Sequence, residues 1–216
     1  MLRLNRSLLA VIALLPITAT AGSSLKKSKP ASYDLREGDI VFQSNPGPQG
    51  DAVRAATGSI YTHCGLVFSQ NGKLMVMEAI QPVQITSLAQ FISRSLPDSF
   101  HAKRLKKPVD RAALAKGQAW AAKQVGLPYD VHFRWDDSKL YCSEFVWKAY
   151  ENAGVELCEK RAFRSYKLNS PAVQKIIDQR YGGIDKLPLD ELAVSPGDLA
   201  NSPLLVEAPR VTSKKN

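Results

Sequence analysis

Apolar residues along this chain follow two periodicities, and the switch between them outlines the fold. Residues 61–68 and 73–79 are rich in Val, Leu, Met and Phe and are separated by Ser69-Gln70-Asn71-Gly72. Asn-Gly between two apolar runs is the strongest short-range signal for a β-hairpin. Gly38-Asp39-Ile40-Val41-Phe42 predicts a turn and a short strand, and residues 83–85 predict another. Helical spacing governs 110–125, where Leu114, Gln118, Ala121 and Val125 share a side ahead of the stop signal Gly126-Leu127-Pro128. It returns from Cys142 to about Ala153, before Gly154. Residues 51–56 predict a short helical turn, and Thr86 or Ser87 is placed to cap a segment over 88–94. From Gly154 to about Val206 the pattern predicts only short elements and turns.

Period-two geometry puts chemistry on the hairpin. His63, Gly65 and Val67 share one face of their strand, and Leu74, Val76 and Glu78 share one face of the next. A two-residue loop at Asn71-Gly72 sets Glu78 opposite Gly65 and diagonal to His63, and a four-residue loop sets it directly opposite His63. Both registers give the carboxylate and the imidazole one face; a three-residue loop with a bulge would break the parity. On the second helix, Cys142, Val146, Ala149 and Ala153 form the stripe that faces a protein body, with Glu144, Lys148 and Glu151 away from it. A thiol at a helix start is acidified by the unpaired N–H groups and the macrodipole. A cysteine on an apolar helix face is, by itself, more often a small core residue. If the helix packs on the hairpin's sheet, Cys142, His63 and Glu78 become a candidate nucleophile, base and orienter.

Composition adds a destination. Arg3 and Arg6 precede an apolar run over 8–17 and the small-x-small sequence Ala19-Thr20-Ala21, which predicts a signal peptide cleaved near Ala21. The run falls short of the roughly 20 residues that span a bilayer. The expected organisation is a signal peptide over 1–21, a basic linker over 22–32, one domain over 33–206 and a basic tail over 207–216. The product is expected to be exported, periplasmic or secreted, and monomeric. The net charge is +9. Removing Arg3 and Arg6 leaves +7, and setting aside Lys26, Lys27, Lys29, Arg210, Lys214 and Lys215 leaves about +1 on the body. The basic termini either solubilise the chain or touch anionic membrane or wall polymer weakly. No basic stripe interleaved with aromatics argues for nucleic acid.

Three cysteines are an odd number for an exported chain, and Cys142 is the expected free thiol. Cys64 and Cys158 either pair or stay as two buried thiols. His63 and Cys64 point to opposite faces of a strand, and His101 and His132 have no ligand-spaced partner, so neither a metal nor a cofactor is expected. Surface or structural roles suit His101 and His132, and a solvated loop suits Asp130, Asp136 and Asp137.

The segments Gly38-Asp39-Ile40-Val41-Phe42, Thr62-His63-Cys64-Gly65-Leu66-Val67, Glu78-Ala79, Gly126-Leu127-Pro128-Tyr129-Asp130, Tyr141-Cys142-Ser143-Glu144-Phe145 and Ser195-Pro196-Gly197-Asp198-Leu199 carry a resemblance. In their order and spacing the chain resembles the NlpC-type papain-like cysteine hydrolases, in the circularly permuted YiiX-like branch, where the histidine strand precedes the cysteine helix. The resemblance implies an α+β, permuted papain-like fold with a small antiparallel sheet or barrel packed on the cysteine helix. It implies Cys142 as nucleophile, His63 as base and then acid, and Glu78 as orienter. Tyr129 matches a family tyrosine and, with the backbone N–H of Cys142, becomes the candidate oxyanion donor. Tyr141 and Ser143-Glu144 stand where ordinary members carry Asp and Ser-Gly. The expected activity is cleavage of an amide in a cell-envelope peptide, of the peptidoglycan endopeptidase or amidase type, through an acyl-enzyme. The alternatives are a lipid or acyl-amide hydrolase or acyltransferase of the same fold, and a catalytically silent envelope-binding module.

Overall fold

A computed structural model describes residues 32–211. The expected signal peptide, nearly all of the linker and the last five residues of the tail lie outside the described residues. In chain order the elements are β1 (Ile40–Gln43), α1 (Pro48–Thr57), β2 (His63–Gln70), β3 (Lys73–Ala79), β4 (Val83–Ser87), α2 (Leu88–Ser93), β5 (His101–Leu105) and α3 (Arg111–Lys123). They continue with α4 (Cys142–Asn152), β6 (Arg161–Ala162), α5 (Pro171–Tyr181), β7 (Leu192–Ala193), α6 (Pro196–Ala200) and β8 (Leu205–Glu207).

Six strands form one antiparallel sheet in the order β4-β3-β2-β1-β5-β8. The hairpin has the two-residue loop: Gln70 pairs with Lys73 and Leu66 with Met77, so the next pair along is Gly65 and Glu78. Asn71 and Gly72 both have positive φ, 53° and 73°, as the tight hairpin turn requires. Gly65 is needed where it stands, because a Cβ there would lie 2.5 Å from Val76 Cγ1 and 3.3 Å from Glu78 Cβ. The sheet is open, with β4 and β8 as its edges, which corrects the barrel alternative. A barrel closes only where its first and last strands pair, and here β4 pairs only with β3 and β8 only with β5.

Helix α4 lies on one face of the sheet, where Phe145, Val146 and Ala149 pack with Phe42, Cys64, Leu66 and Met77. Val41, Val67 and Val76 cover the opposite face with Phe91 and Phe100. Helix α3 crosses α4 closely at Gly117, where a Cβ would lie 2.4 Å from the Ala149 carbonyl oxygen. The polar face of α4 is left to solvent only at its end: every residue from Cys142 to Tyr150 is buried, Glu144 and Lys148 included, while Glu151 is exposed. Lys148 Nζ donates to Glu144 Oε1 at 2.7 Å and to Asp137 Oδ1 at 2.8 Å, so the segment before the helix folds over that face.

Three further differences from the sequence expectation bear on the site. Helix α1 is ten residues long rather than a single turn. Helix α5 forms a third cluster in which Val173 and Ile177 pack with Ala52, Tyr141, Phe163 and Leu187. Its punctuation is complete: Ser170 accepts from the Val173 N–H, Pro171 opens the first turn, and Gly182 ends the helix at φ 79°. The chain also stays in the fold beyond Val206, since Glu207 ends β8, Ala208 is buried and Arg210 bridges to Tyr33.

Candidate active site

Cys142 is the first residue of α4, and the helix carries its side chain into the core beside β2. Glu144 Oε2 accepts the Tyr141 N–H at 3.4 Å, which settles the chain as it enters the helix. Burial and three neighbouring groups set the thiol's proton affinity. A hydrogen bond from the Cys64 thiol favours the thiolate most, burial opposes it, and the charge and hydrogen bond of His63 and the Cys64 backbone N–H add to the first. The result is a thiol held well below its ordinary value. Cys64 behaves in the opposite sense: burial raises it well above the usual range, so it remains a protonated donor to its neighbour.

His63 opens β2 and is buried. Its Nε2 lies 2.5 Å from Glu78 Oε2, which leaves Nδ1 for the sulfur. The ring stacks on Phe91 at 5.5 Å and 28°. Burial lowers the imidazole's proton affinity, but the Cys142 thiolate and then Glu78 raise it, and the net value is pushed up to about 9. Glu78 is fully buried and saturated with donors. Thr86 Oγ1 donates to Oε1 at 2.6 Å, and Arg94 donates to the same oxygen. Burial would raise its carboxyl; His63, Thr86 and Arg94 outweigh burial and lower it. The structure thus brings Cys142, His63 and Glu78 together. Sequence reasoning missed the two residues that hold Glu78. Thr86 was within reach of strand parity, because it pairs with Val76 and shares the face of Glu78. Arg94 follows α2 and carried no spacing signal.

Tyr129 also reaches the site. Its hydroxyl accepts from Gln49 Nε2 at 3.1 Å, and Arg180 donates to Gln49 Oε1 at 2.5 Å. Burial and the nearby Cys142 charge raise the phenol well above its ordinary value, so it keeps a proton to donate. Tyr129 and Cys142 line a pocket of about 140 Å³ whose walls come from α1, α5 and the loops around β6 and β7. Ala52, Val53, Phe163, Val173, Ile177 and Leu187 make those walls apolar. Gln49 and the whole α5 wall were not singled out from the sequence.

The other candidates resolve into structural roles. All three cysteines are free, so Cys64 and Cys158 do not pair. Asp130 accepts the backbone N–H groups of His132 and Arg134 at 2.9 and 2.6 Å, and Asp137 is tied to Lys148. His101 packs edge-on against Tyr61 and His132 against Tyr181. Among the described residues no group of three or more His, Cys, Asp or Glu is arranged to hold a metal ion.

A cysteine at a helix start, packed on an antiparallel sheet whose strands carry a histidine and its carboxylate, is the arrangement of the papain-like thiol hydrolases, here in permuted chain order. The family described as permuted papain-like amidase enzyme, YaeF/YiiX, C92, matches residues 34–207, and the chain belongs to it. It is 36% identical over 184 residues to the uncharacterized protein YiiX of Escherichia coli strain K12, an alignment covering 84% of this chain and 90% of that one. The crystal structure of YiiX from Escherichia coli O157:H7, described there as a metalloprotein, superposes with a TM-score of 0.76 at 34% identity, covering 82% of this chain and 97% of that one.

Proposed function

We propose that the protein is a thiol amidase acting on amides of apolar acyl groups, with Cys142, His63 and Glu78 as its triad. The observation that carries the substrate class is the apolar pocket opening on Cys142. A stem peptide of the cell wall, with its carboxylates and amines, would find few partners along those walls, whereas an acyl chain would lose water against them. The predicted leader makes the cell envelope the place of action.

The thiolate of Cys142 attacks the amide carbonyl carbon, and negative charge moves to the oxygen. The backbone N–H of Cys142, unpaired at the helix start, and the Tyr129 hydroxyl are placed to receive that charge. His63 gives its proton to the amide nitrogen, the C–N bond breaks, and the amine leaves an acyl thioester behind. Water then gives a proton to His63 and attacks the thioester; the acid departs and the thiolate–imidazolium pair returns. Glu78 keeps the imidazole oriented and stabilises its charge throughout. The relative described as a metalloprotein suggests no step here, because the described residues of this chain offer no suitable ligand set.

Alkylation tests the nucleophile. Iodoacetamide should modify Cys142 faster than Cys64 or Cys158, and His63→Ala should abolish the difference. Equal, slow labelling of all three thiols would sink the enzyme reading. For the substrate, a dodecanoyl anilide should be cleaved by the natural protein and not by Cys142→Ala. Cleavage of wall stem peptides alone would return the assignment to a peptidoglycan amidase.

A further inference from the structure

We propose that Arg180 is a specificity residue that binds a carboxylate on the substrate, so that the preferred substrate is an N-acyl amino acid rather than a neutral acyl amide. This rests on reading the apolar pocket as the acyl site. Arg180 is the one side chain with a permanent charge among the residues lining that pocket. Its visible partners are all neutral: Nη1 donates to the Val131 carbonyl at 2.8 Å, Nη2 donates to Gln49 Oε1, and the guanidinium lies 5.2 Å from the centre of the Phe133 ring. None of the ion pairs among the described residues includes it. The Asp130 carboxylate acts on it through space, but both of its oxygens are committed to backbone N–H groups.

Holding the oxygen of Gln49 calls for a donor, and a neutral one would serve. Two hydrogen bonds to neutral oxygens and the face of Phe133 offset the desolvation of this half-buried cation only in part, and no carboxylate hydrogen-bonds to it, which points to an anion that arrives with the ligand. The location fits the amine portion of an amide. Arg180 is joined through Gln49 to Tyr129, and so belongs to the reacting end of the pocket. Val173, on the same helix, lies about 10 Å further along and serves the acyl chain.

Binding to Cys142→Ala, measured by calorimetry, separates this site from the chemistry. Dodecanoylglycine should bind about tenfold or more tightly than dodecanoylglycinamide, as a charge-assisted hydrogen bond implies. Adding Arg180→Gln should remove that preference and leave the glycinamide affinity where it was, and Arg180→Lys should keep part of the preference. Equal binding of the two ligands to Cys142→Ala would overturn the proposal. So would an Arg180→Gln variant that weakens both equally, since that is the effect of a prop for Gln49. Turnover is followed separately with Cys142 present. A carboxylate preference in binding without any hydrolysis would defeat the amidase reading and leave the Arg180 site standing; hydrolysis of both compounds without preference would do the reverse.

Discussion

Glu78 and Glu144 are both fully buried carboxylates with a cation in contact, yet they titrate in opposite directions. Glu78 receives His63, Arg94 and Thr86, and together these overcome burial and hold the carboxyl below its ordinary value. Glu144 has the Lys148 ammonium and a long contact from the Tyr141 N–H; burial wins, and its carboxyl is pushed up to about 8. Burial is common to both sites, so the difference lies in the number and charge of the donors. The carboxylate with more donors is the one facing the imidazole. An anion there favours the charged form of His63, whereas a carboxyl that readily takes a proton would not.

Replacing Glu78 by Gln breaks this contrast most severely. The amide keeps the shape but loses the charge and presents a donor to the ring, so turnover should fall by about a hundredfold to ten-thousandfold. The pH profile should change as well. The thiolate–imidazolium pair exists above the depressed Cys142 value and below the raised His63 value, so activity in the natural protein should decline as pH rises through about 9. Without the Glu78 charge the declining limb should move to lower pH. An unchanged limb with unchanged turnover would remove Glu78 from the triad.

Stability against pH gives the next largest difference, and the two carboxylates should contribute with opposite sign. The lowered Glu78 contributes stability that is present above its unfolded value and is lost as pH falls through its folded value. For the raised Glu144 the contribution is complete below the unfolded value of 4.5 and is lost as pH rises towards about 8. Glu144→Gln should therefore flatten the decline in urea midpoint between pH 4.5 and 8, with Lys148 still held by Asp137. Glu78→Gln should instead flatten the fall on the acid side. Identical pH dependence in the two variants would mean that the donors around Glu78 do not govern its charge.

The triad was more legible in the sequence than its surroundings for a physical reason. Asn71-Gly72 fixes a register, and strand parity then carries Glu78 to the histidine's face with no knowledge of distant contacts. The helix stripe likewise turns Cys142 inward. Arg94, Gln49 and Arg180 meet their partners across loops, where spacing says nothing about proximity. Glu144 and Lys148 misled in another way: a polar helix face predicts solvent, but here the segment over 130–140 covers it and the charges satisfy one another. Helix α5 had its Ser170, Pro171 and Gly182 signals, yet its apolar residues face a pocket rather than the sheet, so no strand pattern pointed to it. The open sheet was likewise invisible to local pattern, because closure depends on strand number and tilt.

The finest division within the Glu78 network is between its neutral and charged donors. Thr86→Val keeps the β-branched shape and removes one hydrogen bond to Oε1, while His63 and Arg94 stay in place. The expected loss of stability is about 1 kcal/mol, typical of a hydrogen bond whose acceptor retains other partners. The carboxylate should remain ionised, so the alkaline limb of activity should stay near pH 9. If instead Thr86→Val shifts that limb as far as Glu78→Gln does, the hydroxyl, rather than the two cationic partners, decides whether the carboxylate keeps its charge. The contrast with Glu144 would then rest on one short hydrogen bond instead of on compensation by cations.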